Sequence, residues 1–262
     1  MACLCAVRVE PVESILRRSA VTIVDLGPVP DGSTTLSGYL ARPDGPGPWP
    51  GVVAIHEVWG LDDVIRRHAD RLARAGYLTL APDLFSDGGP RRCIVSTFRA
   101  LRRGQGRPLH DIEAARTYLA RHPDCTGKVG VIGFCMGGGF ALLVANRGFD
   151  VAADNYGPLP RDLPAAVTDA CPIVASYGGR GPERTSARTV PKLVAALEEA
   201  GVPHDVRRYP EAGHSFLNDT AAGPKLLQPL LKVTRTGPEP ASAADAWTRI
   251  ETFFGTYLRD AR

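Results

Sequence analysis

Five short apolar runs constrain this chain more than any other feature. They are Val52–Ile55 in "PWPGVVAIHEVWG", "YLTLAPDLF", "KVGVIGFC", "VAADNYG" and "CPIVASYGG". A strand wet on one face alternates apolar and polar residues, whereas a strand covered on both faces reads as an unbroken apolar run. The segments between them carry helical spacing instead. One starts at Asp62, sets Ile65, Ala69, Leu72, Ala73 and Ala75 on one face, and stops at Gly76. Others are "LHDIEAARTYLARHP", "MGGGFALLVANR", Ser186–Ala200 and an amphipathic closing helix over Ala243–Leu258, with a further strand in "HDVRRYP". Buried strands alternating with helices predict an α/β fold, a mostly parallel central sheet with helices on both faces. Ahead of it, Ala20–Leu26 and Thr35–Pro43 flank "PVPDGS" and predict an N-terminal antiparallel hairpin. At 262 residues the chain can bury one large core, so residues 1–262 are read as a single domain. The segment Ser86–Pro108, rich in Gly, Arg and Pro, is read as a loop or an Arg-rich lid.

The charge balance excludes some partners. Lys and Arg total 31 against 28 Asp and Glu, a net charge of +3. That is too mild for a nucleic-acid binder, whose basic residues gather on one face. The densest basic run, Arg99–Arg107, reads as a solvated face in preference to a polyanion site. No stretch is apolar and long enough to cross a bilayer, so no membrane partner is expected. The N-terminus "MACLCAVRVEPVESILRRS" lacks a basic start followed by an apolar run, so the protein is expected to be cytoplasmic, with reduced thiols. Cys3 and Cys5 are too close together, and Cys93, Cys125 and Cys171 too isolated, for a CxxC-type zinc site. Neither metal nor cofactor is expected.

"GFCMGG" carries the chemistry. Gly133, Cys135 and Gly137 form G-x-C-x-G, the thiol version of a nucleophile elbow, with a buried strand before it and a helix after it. A nucleophile there sits on a strained turn that only small neighbours allow, at a helix start where free N–H groups favour an anion. The competing reading is a small core residue, since free cysteine is among the most buried types. The strand–turn–helix context favours the nucleophile. His214, in "YPEAGHSFLND" after the last strand, stands where the general base of such a fold belongs.

"HEVWGLDD", "AGYLTLAPDLF", "GFCMGG" and "YPEAGHSFLND" fall in the order found in the dienelactone hydrolase family of the α/β-hydrolase superfamily, which the chain resembles from about Thr35 to its last helix. The resemblance implies an α/β-hydrolase fold and a cysteine hydrolase of small-molecule esters or lactones. Cys135 would be the nucleophile and His214 the base. Glu57 would be a carboxylate that engages the resting thiol, although a strand-end carboxylate also caps turns. The backbone N–H groups of Met136 and Val58 would form the oxyanion hole. Trp59, Phe85 and Tyr156 follow strand ends at the carboxyl edge of the sheet, where ligands sit in open α/β folds, and are candidate substrate contacts.

Two departures stand out. The family places its triad acid in a G-G-R-D pattern, and "SYGGRGPERT" has Gly181 there. Glycine cannot orient an imidazole. Glu183 two positions on, Asp154 from the preceding strand, or a crippled site that only binds a small ligand or protein partner are the alternatives, in that order. Arginines that clamp a substrate carboxylate are also expected shortly after "PDL" and just after the histidine motif, where this chain has Asp87 and Asn218. A substrate other than the anionic dienelactone is therefore expected, unless Arg99, Arg102 or Arg103 folds over the site. A thioester route ending in transfer or cyclisation is an intermediate alternative.

Overall fold

A computed structural model describes residues 22–223, 226 and 228–259. The N-terminal stretch with Cys3 and Cys5, and the first two residues of the Ala20–Leu26 strand, lie outside the described residues. Eight strands form one sheet: β1 (Thr22–Gly27), β2 (Leu36–Ala41), β3 (Trp49–Ile55), β4 (Leu78–Pro82), β5 (Cys125–Phe134), β6 (Val151–Asn155), β7 (Ile173–Gly178) and β8 (His204–Tyr209). Their order across the sheet is β1-β2-β4-β3-β5-β6-β7-β8. The β1/β2 hairpin is antiparallel, as is β2 against β4, and every pairing from β4 to β8 is parallel. This is the α/β-hydrolase arrangement.

Helices cover both faces because the apolar runs leave neither face fit for water. On one side lie α1 (Asp63–Arg74) and the closing helix α8 (Pro240–Leu258). Trp247, Ile250, Phe254 and Leu258 of α8 are buried, each contributing about 1.5–3 kcal/mol. Opposite them lie α2 (Pro90–Arg103), α3 (Arg107–Arg121), α4 (Met136–Val144), the short α5 (Leu163–Val167) and α6 (Ser186–Glu199). A single turn and a half, α7 (Gln228–Val233), precedes α8. The Asp62 side chain caps α1 as its position suggested, accepting from the Val64 and Ile65 amides.

The Ser86–Pro108 segment corrects the loop expectation. Most of it is α2, with Pro90 at its start and Gly104 closing it in the left-handed region. Cys93, Thr97, Ala100 and Leu101 make a buried stripe on the core, and the arginines face out. Its Gly and Pro residues are end signals, and they masked the helical spacing between them.

The strand order reverses at β3, which pairs with β4 on one side and β5 on the other. Chains leaving the carboxyl ends of β3 and β5 diverge there and open a crevice. Glu57 follows β3 and Cys135 follows β5.

Candidate active site

Cys135 is the hinge between β5 and α4, with φ 55° and ψ −118°. A non-glycine residue in that region carries strain of about 1–3 kcal/mol, and such strain clusters at functional sites. The flanking glycines are obligatory: a Cβ on Gly133 would lie 1.9 Å from the Gly137 carbonyl oxygen, and one on Gly137 would lie 2.4 Å from that of Ile55. The helix start therefore presses directly on the end of β3. Met136 opens α4, so its N–H is one of the donors a helix leaves unpaired.

Cys135 is partly exposed, not sealed in the core. It lines a cavity of about 170 Å³ with Glu57, Val58, Trp59, His214 and Ser215. Among the predicted site residues, Cys135, His214, Glu57, Val58 and Trp59 thus meet around one space. Phe85 does not: it is buried below, its ring centroid 4.9 Å from that of His56. Tyr156 packs against the far side of the His214 ring at 5.1 Å and lines a neighbouring cavity that also holds Glu183. Its buried hydroxyl lies beside Glu57 without closing a hydrogen bond of good geometry.

Of the two candidate acids, Glu183 is the one that reaches the histidine. Its Oε1 lies 2.6 Å from His214 Nδ1. Behind β7 the chain is tied to the histidine loop, with the Gly179 and Arg180 amides both donating to the Ala212 carbonyl. A 3₁₀ turn over Gly181–Thr185 then swings Glu183 toward the ring. Gly181 cannot hold the acid itself. Its φ is +57°, and a Cβ there would sit 2.1 Å from the Thr234 carbonyl oxygen. Asp154 is occupied elsewhere, accepting from the Gly157 amide at 2.9 Å and from the Tyr177 hydroxyl. Burial pushes its carboxyl up to about 7.

Burial pulls the His214 imidazole down, but hydrogen bonds to Cys135 and Glu183 outweigh it and leave the ring well above its ordinary value. With Nδ1 turned to Glu183, Nε2 is the nitrogen left for the sulfur. Glu57 lines the same cavity as the thiol. Burial raises its carboxyl, while His214, Ser215 and Asn218 oppose the rise. The Asn218 amide donates toward it at 3.4 Å, and Asn218 Oδ1 lies 3.1 Å from Nε2 of buried His68. Burial lowers His68 to about 4, so a neutral ring orients the amide. Ser215, His68 and His56 have no place in the sequence reading of the site, and Asn218, read there only as a missing arginine, supports Glu57 instead. The "HE" dipeptide was the one available signal among them.

Among the described residues no arginine lines the cavity. Asp87 binds the amides and hydroxyls of Thr34 and Thr35, as a clamp on the turn before β2. Arg102 and Arg103 line a separate surface cavity with Arg161, and Arg99 faces out from α2. Among the described residues no group of His, Cys, Asp and Glu could hold a metal, and no helix is long and apolar enough to cross a membrane.

Comparison with known proteins identifies the family and the fold. A provisionally named carboxymethylenebutenolidase of Yersinia pestis is 28% identical over 243 residues, covering 86% of this chain and 85% of its own. A dienelactone hydrolase structure from Anabaena variabilis superposes with a TM-score of 0.64 at 21% identity, covering 92% of this chain and all of its own. A metagenomic dienelactone hydrolase-like promiscuous phosphotriesterase gives 0.71 at 23% identity with the same coverage. The profile of the dienelactone hydrolase family matches residues 36–258, and the chain belongs to that family of ester and lactone hydrolases.

Proposed function

We propose that the chain hydrolyses small uncharged esters or lactones through a thioester on Cys135. The observation that carries this reading is the line Glu183–His214–Cys135, in which the 2.6 Å contact at Nδ1 turns the other ring nitrogen to the thiol. His214 Nε2 takes the sulfur proton as Sγ attacks the carbonyl carbon. The oxyanion that forms accepts hydrogen bonds from the Met136 and Val58 N–H groups, each worth about 3 kcal/mol in the transition state. The C–O bond then breaks, and the departing alkoxide or enolate takes the proton from the imidazolium. Water attacks the thioester with His214 as base, and the sulfur leaves. Neither step uses a cofactor.

The uncharged substrate follows from the lining. Among the described residues the cavity wall contains the Glu57 carboxylate and no lysine or arginine. Among the described residues a substrate carboxylate would face an acid with no clamp. The volume of about 170 Å³ suits a small acyl group. The scaffold alternative rested on the glycine at position 181, and Glu183 at His214 counts against it.

The test is turnover of p-nitrophenyl acetate and a neutral γ-lactone against a carboxylated dienelactone, with mass spectrometry of the quenched protein. A burst of nitrophenol, an acetylated Cys135 peptide and preference for the neutral substrates are expected. Preference for the anion, or an acyl group elsewhere, would overturn the proposal.

A further inference from the structure

The turn after β3 holds a wholly buried histidine that is no part of the cavity wall. His56 Nδ1 lies 2.6 Å from the Glu57 carbonyl oxygen, and the Leu84 amide donates to Nε2 at 3.1 Å. A ring nitrogen that accepts from an N–H carries no proton, so the proton of the neutral ring sits on Nδ1 and is donated to the Glu57 carbonyl. Burial favours that neutral form. The Gly60 amide donates to the same carbonyl at 3.2 Å. The Glu57–Val58 peptide is trans, so its C=O and N–H point in opposite directions. Pinning the carbonyl toward His56 therefore aims the Val58 N–H the other way. Val58 lines the cavity beside Cys135, and its N–H meets no acceptor among the described residues.

We infer that His56 is a positioning residue. As the Nδ1–H tautomer it sets the plane of the Glu57–Val58 peptide, and with it the direction of one oxyanion donor. The inference rests on the hydrolase reading above. Leu84 follows β4, so the same ring ties the turn after β3 to the turn after β4, and the Phe85 ring holds its tilt. An apolar residue could fill the volume but would release the peptide plane, and a donor hole works only when its donors are set before the charge develops.

The experiment compares the wild type with His56→Leu, His56→Asn and His56→Gln by two readouts. One is kcat and KM for p-nitrophenyl acetate. The other is alkylation of Cys135 by iodoacetamide, a displacement at saturated carbon that develops no oxyanion. Asparagine keeps a donor near the Nδ1 position. Glutamine reaches the Nε2 position and serves Leu84 instead. For His56→Leu we expect kcat to fall about 100-fold, with KM within about threefold and alkylation within about twofold of wild type. His56→Asn recovers to within about tenfold of the wild type, and His56→Gln stays below it. An unchanged kcat in His56→Leu, alkylation falling in parallel with turnover, or His56→Gln outperforming His56→Asn would each overturn the inference. If His56→Leu does not fold, the order of the two amide variants decides. A wild type that alkylates readily yet turns over no ester would sink the hydrolase reading itself, and the role of His56 with it.

Discussion

Glu183→Ala is the sharpest perturbation of the proposed site. The acid contributes one charge-assisted hydrogen bond to a largely buried ring, with Glu183 and His214 side chains only 12% and 21% exposed. Such a bond is worth about 1.5–3 kcal/mol, or roughly one to two decades in rate. Loss of ring orientation adds to this, and in serine triads removal of the orienting acid reaches about four decades. We expect kcat/KM for p-nitrophenyl acetate at pH 7 to fall by about two to three decades. Glu183→Asp should lose nearly as much, because one methylene fewer leaves the carboxylate short of Nδ1. Restoring the family's acid position does not help: in Gly181→Asp/Glu183→Ala the new Cβ would lie 2.1 Å from the Thr234 carbonyl oxygen, at a φ of +57°. The assay is steady-state hydrolysis, with iodoacetamide titration to count intact thiols. Glu183→Ala within about threefold of wild type, or rescue by the double variant, would refute the assignment.

Asp154 tests the buried carboxyl behind the elbow. Its acid is held at about 7 when folded against an ordinary 3.8. The folded state thus binds the proton more tightly, and the stability this provides is complete below about pH 4 and lost as pH rises through 7. Asp154→Asn should therefore gain on the wild type by about 2 kcal/mol between pH 5 and pH 8 in urea melts; parallel pH profiles would contradict this. Gly137→Ala brings a Cβ to 2.4 Å from the Ile55 carbonyl oxygen and 2.8 Å from that of His56, both backbone, so a loss of about 3 kcal/mol or more is expected. Wild-type stability there would show that α4 does not press on β3. Asp87→Ala removes the clamp on Thr34 and Thr35 and should cost about 1–3 kcal/mol of stability. It should leave kcat/KM and the preference for neutral substrates unchanged, and a new preference for anions would place Asp87 at the cavity.

The sheet was legible because apolar runs such as "GVVAI" are short, bounded by Gly and Pro, and alternate with helical segments, which is the pattern of strands covered on both faces and joined by parallel crossovers. The elbow was legible for a related reason: Gly133 and Gly137 stand where any side chain would strike backbone, so the glycines record the close approach of α4 to β3. α2 was hidden because its boundaries are made of the residues that usually mark loops. The supporting polar groups were hidden for another reason. Asn218 meets Glu57 across 161 positions and His68 across 150, and no local pattern records a pairing at that range.

The acid position shows how a local departure follows from a distant contact. The turn at Thr234–Arg235 crosses both loops of the site: a Cβ on Gly213 would meet the Arg235 carbonyl oxygen at 1.6 Å, as one on Gly181 would meet that of Thr234. The Gly237 amide donates to the His214 carbonyl at 2.8 Å, so the segment that bars an acid at 181 is the one that holds the histidine in place. A carboxylate can serve His214 only from beyond this crossing. Glutamate supplies the extra methylene, and the 3₁₀ turn supplies the approach. Glycine at 181 and glutamate at 183 are on this account one structural solution, which is why the double variant belongs beside the single one.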